Sequence, residues 1–132
     1  MSVKRIGVLT SGGDAPGMNP CVRAVVRSAL YHGLEVYGIR RGWNGLISGD
    51  IVKLDEKSVT RIINKGGTIL YTARSKEFMT PEGQQKAASV CKFLGLDSII
   101  AIGGDGTFRG AQALSKFGVN VIGIPATIDN DI

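Results

Sequence analysis

Three short stretches of this sequence join glycine to carboxylate or hydroxyl side chains, and each follows an apolar run. The first is Thr10-Ser11-Gly12-Gly13-Asp14-Ala15-Pro16-Gly17-Met18-Asn19. Glycines between a strand and a helix expose backbone N–H groups, and a helix N-terminus adds partial positive charge. That combination receives phosphate oxygens. A tight strand-to-helix turn accounts for the same composition. The second stretch is Gly103-Gly104-Asp105-Gly106-Thr107. A carboxylate inside a glycine cradle repels phosphate unless it holds Mg²⁺ that bridges to it, which makes Asp105 a candidate metal ligand. Asp105 would equally serve as the N-cap of a following helix. The third is Pro125-Ala126-Thr127-Ile128-Asp129-Asn130-Asp131. Two carboxylates two residues apart, with a threonine nearby, suit accepting a hydroxyl proton and orienting an alcohol. An unperturbed aspartate, with a pKa of about 3.9, is a weak base at neutral pH. Phosphoryl transfer tolerates this, because positioning and charge stabilisation carry most of its catalysis. A polar turn rich in Asx residues is the alternative.

Taken together, a phosphate cradle, a metal-holding acid and a hydroxyl-accepting acid are the parts of a kinase for a small alcohol. The sequence contains no GxxxxGK[ST] loop, which excludes a P-loop enzyme. It contains no HRD or DFG segment, which excludes a protein kinase.

The elements that must position these loops read as alternating strands and helices. Val3 to Leu9 is a buried strand that opens into the first loop. Pro20 suits the first turn of a helix, along which Val22, Val25, Val26 and Ala29 recur at helical spacing, with Gly33 as C-terminal cap. Leu34 to Ile39 is the next strand, so the first forty residues form a βαβ unit and imply a parallel sheet. The middle is less patterned: Ser58 to Asn64 fits a short helix and Thr68 to Tyr71 a short strand. Glu82 to Leu94 is a helix stopped by Gly95, Ser98 to Ile102 a strand covered on both faces, Thr107 to Phe117 a helix ended by Gly118, and Val119 to Ile124 a last strand. The expected fold is an open, mostly parallel, doubly wound Rossmann-like α/β sheet with helices on both faces. In such sheets ligands bind outside the carboxyl ends of the strands, where all three loops fall.

Composition narrows the partners. The 132 residues carry 19 glycines, concentrated in short clusters where backbone must approach something closely, and a net charge of +5. Mild basicity suits phosphorylated metabolites. Without a Lys/Arg run or an aromatic-basic platform, and with aromatics at 6%, nucleic acid is not an expected partner. Cys21 and Cys91 lack CxxC spacing and His32 is the only histidine, which argues against a soft-ligand metal site. No apolar stretch is long enough to span a membrane and no signal-peptide cleavage region is evident, so a soluble cytoplasmic protein is expected.

The motifs from Ile6-Gly7-Val8-Leu9-Thr10-Ser11-Gly12-Gly13-Asp14-Ala15-Pro16-Gly17-Met18-Asn19, through Gly66-Gly67-Thr68, Ala73-Arg74 and Ile102-Gly103-Gly104-Asp105-Gly106, to Thr127-Ile128-Asp129-Asn130-Asp131 resemble bacterial ATP-dependent 6-phosphofructokinases in order and spacing. The resemblance covers the whole chain. Gly-Gly-Asp-Gly is shared with NAD kinases and diacylglycerol kinases, whereas the first and last motifs together are specific. The resemblance implies that Asp129 takes the proton from the 1-hydroxyl of fructose 6-phosphate, that Thr127, Ile128 and Asp131 hold this substrate, and that Gly13, Ser75 and Gly104 to Thr107 contact ATP. It also implies Mg²⁺ on Asp105 and an Arg74 that neutralises the transferring phosphoryl group; by sequence alone Arg74 is a surface arginine. Trp43 and Phe78 are placed to flank the adenine or to pack in the interior. Family members that use pyrophosphate carry an aspartate where this chain has Gly106 and a lysine where it has Ala126, so ATP is the expected donor. Ala126 departs from the usual glycine of the ATP users.

Arg23 and Arg27 lie four apart on one helical face, where like charges repel by a few tenths of a kcal/mol unless an anion bridges them. In the family these positions bind an effector, ADP or phosphoenolpyruvate. A solvated helix face is the alternative, and Glu56 and Arg61 differ from the residue types expected of the partner subunit's contribution to that site. The family is tetrameric and has a second, sugar-phosphate domain, so residues 1–132 are expected to be its nucleotide-binding N-terminal portion. Two other readings are a non-catalytic Mg-ATP or phosphate-binding module and an NAD kinase-like enzyme, although acceptor residues for NAD are not evident.

Overall fold

The computed structural model describes residues 4–11, 18–59, 70 and 76–125. Its centre is a five-stranded sheet in the order β3-β2-β1-β4-β5. The strands are β1 (Arg5–Thr10), β2 (Glu35–Ile39), β3 (Ile51–Leu54), β4 (Ser98–Gly103) and β5 (Val121–Pro125). β1 is parallel to β2 and β4, and β4 to β5, while β3 runs antiparallel to β2 at the edge. The helices are α1 (Met18–Tyr31), α2 (Gly42–Ser48), α3 (Glu56–Val59), α4 (Pro81–Leu94) and α5 (Asp105–Ser115), with a 3₁₀ turn at Glu77–Met79.

Apolar residues alternate across the sheet and make two cores. Leu9, Ile39, Ile99 and Ala101 point to one face, where Leu46 of α2, Ala88 and Cys91 of α4 and Leu114 of α5 cover them. Val8, Val36 and Ile102 point to the other, under Val22, Val26 and Ala29 of α1 and Val59 of α3. A strand covered on both faces must be apolar throughout, and β1 is buried from Ile6 to Thr10. This is the doubly wound sheet expected from the sequence.

The helix boundaries follow local chemistry. Thr80 caps α4 by accepting from the Gly83 N–H at 3.1 Å, Pro81 occupies its first turn, and Gly95 closes it at φ 69°. α5 begins at Asp105 rather than Thr107, and β1 spans Arg5–Thr10 rather than starting at Val3. The segment between β2 and α3 departs from the reading of the sequence, which placed no element there. It holds α2 and the antiparallel β3, so the sheet is mixed at one edge. Of the short elements expected in the middle, only Glu56–Val59 and Leu70, a turn residue, are described. The rest of Ser58 to Asn64, and the Thr68 to Tyr71 strand apart from Leu70, lie outside the described residues.

Candidate functional site

The chain leaves β1, crosses to β2 on one side, and later returns to β4 on the other. The carboxyl ends of β1 and β4 therefore flank a topological switch point, where open sheets form a ligand crevice. The register sets the starts of the three glycine and acid loops side by side there. Thr10 lies opposite Ile102, and Gly103 opposite Pro125. The first loop thus leaves β1 next to the point where the second leaves β4, and the third leaves β5 beside that. With strands about 4.8 Å apart, the starts of the first and third loops are about 10 Å apart.

The junction between the first two loops is tight. The Ser11 N–H donates to the Ile102 carbonyl at 2.9 Å, extending the β1–β4 ladder by one residue. Gly103 sits against the Ser11 carbonyl and the Thr107 hydroxyl, so a side chain there has no room. Thr10, Ser11, Asn19 and Thr107 are all buried. Thr107 is 1% exposed, and its hydroxyl has no hydrogen-bond partner among the described residues. A buried unpaired hydroxyl is costly by about 1–3 kcal/mol, and such a group at a helix N-terminus is suited to a ligand oxygen.

Gly104, not Asp105, is the N-cap of α5, and no side-chain cap bond forms there. Asp105 is the first helical residue and exposed, and its carboxylate has no protein partner among the described residues. The capping alternative for Asp105 is thereby set aside. An added Cβ at Gly104 or Gly106 would meet none of the described residues within 4 Å. No group of three or more His, Cys, Asp or Glu capable of holding a metal occurs among the described residues. This donor set fits Mg²⁺, which binds through one or two carboxylates plus substrate phosphates, better than a cation needing an all-protein cage.

Support comes from the β2–α2 turn, which sequence reasoning missed. Gly42, at φ 57°, brings its backbone to the Thr10 carbonyl, where a Cβ would stand 3.0 Å away. Arg41 holds a left-handed φ of 67°, the only such non-glycine among the described residues. Its N–H donates to the Leu70 carbonyl at 2.8 Å, and its guanidinium to Asp50 Oδ2 at 2.7 Å. Arg40 Nε donates to Asp50 Oδ1 at 2.9 Å. The Arg-Arg-Gly run directly after a strand was the signal available.

Trp43 and Phe78 do not flank an open slot. They stack on one another, 4.6 Å between centroids and 4° from parallel, and both are buried. The Trp43 indole also lies on Gly110 of α5. Interior packing is thus the reading that holds for this pair.

Arg23 and Arg27 lie apart from the three loops. Arg27 is nine residues into α1, about 13 Å along its axis from the loop end. Arg27 Nε is 3.9 Å from Glu56 Oε2 of α3. Gly13, Arg74, Ser75, Thr127, Ile128, Asp129 and Asp131 lie outside the described residues, as does Arg61. Away from the site, burial raises the Cys21 thiol, and burial pushes the Cys91 thiol up to about 11. Hydrogen bonds from the Ser58 hydroxyl and N–H lower Asp55.

The fold is that of an open-sheet α/β protein with a topological switch point between β1 and β4. The phosphofructokinase family model matches residues 5–132, and the chain belongs to that family. It is 62% identical over 130 residues to the ATP-dependent 6-phosphofructokinase of Shouchella clausii, covering 98% of this chain and 41% of the relative. It is 59% identical over 132 residues to that of Paenibacillus macquariensis, covering 100% of this chain and 41% of the relative. The crystal structure of Pichia pastoris phosphofructokinase in the T-state superposes with a TM-score of 0.92 at 36% identity, over 99% of this chain and 16% of that one. The chain thus spans about two-fifths of the length of the curated relatives it matches. No described helix is long and apolar enough to cross a membrane.

Proposed function

We propose that this chain carries the nucleotide-binding part of an ATP-dependent 6-phosphofructokinase. The reaction is transfer of the γ-phosphoryl group of ATP to the 1-hydroxyl of fructose 6-phosphate, giving fructose 1,6-bisphosphate and ADP in cytoplasmic glycolysis. The observation that supports this reading is that the carboxyl ends of β1, β4 and β5, from which the three loops leave, lie side by side at one switch point. The ATP dependence of the relatives and the open space at Gly106 support ATP as donor, since the aspartate of pyrophosphate users would occupy that space.

In this reading Gly13, Ser75 and the backbone of Gly104 to Thr107 hold the phosphates of ATP, with the Thr107 hydroxyl completing its bonding on a phosphate oxygen. Asp105 and the phosphates hold Mg²⁺, which supplies charge neutralisation across the phosphate chain. Thr127, Ile128 and Asp131 orient the sugar. Asp129 accepts the 1-hydroxyl proton as that oxygen bonds the γ-phosphorus and the bond to the ADP oxygen breaks. Arg74 neutralises the transferring group. The grip on the sugar phosphate belongs to a second domain in the remaining three-fifths of the family length, and the assembled form is a tetramer. Arg23 and Arg27 receive the phosphate of an effector, ADP or phosphoenolpyruvate.

The test is ADP release by the chain with Mg-ATP, with and without fructose 6-phosphate, beside Asp129→Asn. Sugar-dependent release that Asp129→Asn abolishes is the expected chemistry, slow for residues 1–132 alone. Release that ignores the sugar, or survives Asp129→Asn, contradicts these assignments.

A further inference from the structure

The left-handed backbone of Arg41, at φ 67° and ψ 35°, is disfavoured for any residue with a Cβ, so its surroundings must hold it there. Its N–H donates to the Leu70 carbonyl at 2.8 Å. Its guanidinium donates to Asp50 Oδ2 at 2.7 Å. Asp50 is fixed in turn by Arg40, whose Nε donates to Oδ1 and whose backbone N–H donates to the Asp50 carbonyl, both at 2.9 Å. Gly45 packs on the Arg40 carbonyl with no room for a Cβ, so α2 is pressed onto the end of β2.

The turn held in this way touches several parts of the crevice at once. Gly42 places its backbone against the Thr10 carbonyl, one residue before Ser11 opens the first loop. Trp43 stacks on Phe78 and lies on Gly110 of α5, the helix that starts at Asp105. Leu70, which accepts the Arg41 N–H, precedes Arg74 by four residues in the sequence. Residues 41–43 therefore join the root of the first loop to α5 and, through Leu70, to the chain that runs on to Arg74.

We infer that Arg41 is a positioning residue for the nucleotide crevice: its left-handed backbone sets α2 as a wedge that holds the root of the first loop and α5 in register. This rests on the nucleotide reading given above and adds a residue that acts through its neighbours, without touching ATP. The acting part is the backbone conformation, with Asp50 as its clamp. Glycine adopts that conformation readily and keeps the N–H, whereas a β-branched side chain opposes it. Relaxation of residue 41 moves Gly42 off Thr10 and lowers the share of chains whose crevice is ready for nucleotide. Apparent affinity falls in proportion to that share.

The test compares Arg41→Gly with Arg41→Val. Both lose the guanidinium, so backbone preference alone separates them. Mg-ATP affinity is measured by calorimetry at a temperature where circular dichroism shows both folded, and the Ser11 and Gly110 amides are followed in the nucleotide-free chains. Arg41→Gly is expected to bind within about twofold of the parent. Arg41→Val is expected to bind at least about fivefold more weakly, with both amides displaced. Equal affinity in the two variants overturns the inference, whether both match the parent or both fall below it. If Arg41→Val does not fold, Asp50→Ala removes the clamp and leaves residue 41 intact. It is expected to weaken Mg-ATP, with affinity restored on adding Arg41→Gly, and parental affinity in Asp50→Ala overturns the inference. A parent that binds no Mg-ATP overturns the nucleotide reading. The free-chain amides then judge the wedge by themselves, and Ser11 and Gly110 unmoved in Arg41→Val overturn it too.

Discussion

A single methyl group at Gly103 tests how the crevice is built. Gly103 ends β4, and an added Cβ would collide with the Ser11 carbonyl and the Thr107 hydroxyl, with Thr107 Cβ a further 3.1 Å contact. The Ser11 backbone cannot swing aside, because its N–H is bonded to the Ile102 carbonyl at 2.9 Å. Gly103→Ala must therefore push the end of β1 away from the first turn of α5. Overpacking of this kind costs about 1–3 kcal/mol. For a domain of this size each kcal/mol lowers Tm by roughly 3–5 °C, giving a fall of roughly 3–15 °C. Mg-ATP affinity should fall with it, since both phosphate loops spring from this junction. Gly106→Asp is the contrast. An added Cβ there meets nothing within 4 Å, and an acid in the first turn of a helix is favourable. Its Tm should match or exceed the parent's, while a new negative charge beside the phosphates weakens Mg-ATP by at least about tenfold. Thermal melts and calorimetric titrations on the two variants give both readouts. A Gly103→Ala protein that melts with the parent and binds Mg-ATP equally well refutes the tight junction. A Gly106→Asp protein with parental affinity refutes the approach of phosphate to α5.

Other perturbations have defined outcomes. Asp105→Asn should lower Tm by only a few degrees, because the carboxylate has no described protein partner and gives up only its favourable interaction with the first turn of α5, and should make ATP affinity insensitive to Mg²⁺; thermal melts and calorimetry with and without the metal measure this. Gly110→Ala places a Cβ 2.5 Å from Trp43 Nε1 and 2.7 Å from Cε2, so it should destabilise by about 1–3 kcal/mol and alter the emission of the only tryptophan, read by urea denaturation. The Cys91 thiol, raised from 9.0 to about 11, should resist a thiol reagent at pH 8 in the native chain. Its raised folded-state value means that the associated stability is present below pH 9 and is lost as pH rises from about 9 to about 11. A Cys91→Ala variant should show a smaller fall in urea midpoint over that interval.

The strands and long helices were legible because each carries a simple period or an unbroken apolar run. Gly33, Gly95 and Gly118 marked helix ends through left-handed geometry, and the structure places all three at positive φ. The β2–α3 segment was not legible, for physical reasons. α2 has seven residues, two of them glycine, too short for a helical stripe to register. β3 has four residues and is buried only at Leu54, so it shows neither alternation nor a full apolar run. At the site, the glycine and acid types announced phosphate chemistry, but whether Asp105 was ligand or cap depended on which residue took the cap position. The cap position is set by the backbone angles of Gly104, which composition does not encode. The Trp43–Phe78 stack joins residues 35 positions apart through the packing of α2 on the 3₁₀ turn, a tertiary fact with no local signature.

The central claim is that nucleotide phosphate binds where β1 and β4 diverge, on the first turn of α5. The most direct measurement is a Mg-ATP titration of the isotopically labelled chain, followed at its backbone amides. The account predicts saturable shifts at Ser11 and at Gly104, Asp105, Gly106 and Thr107, reduced when Mg²⁺ is omitted. Saturable binding that leaves Gly104 to Thr107 unmoved, or no binding at millimolar Mg-ATP (weaker than about −4 kcal/mol), contradicts it.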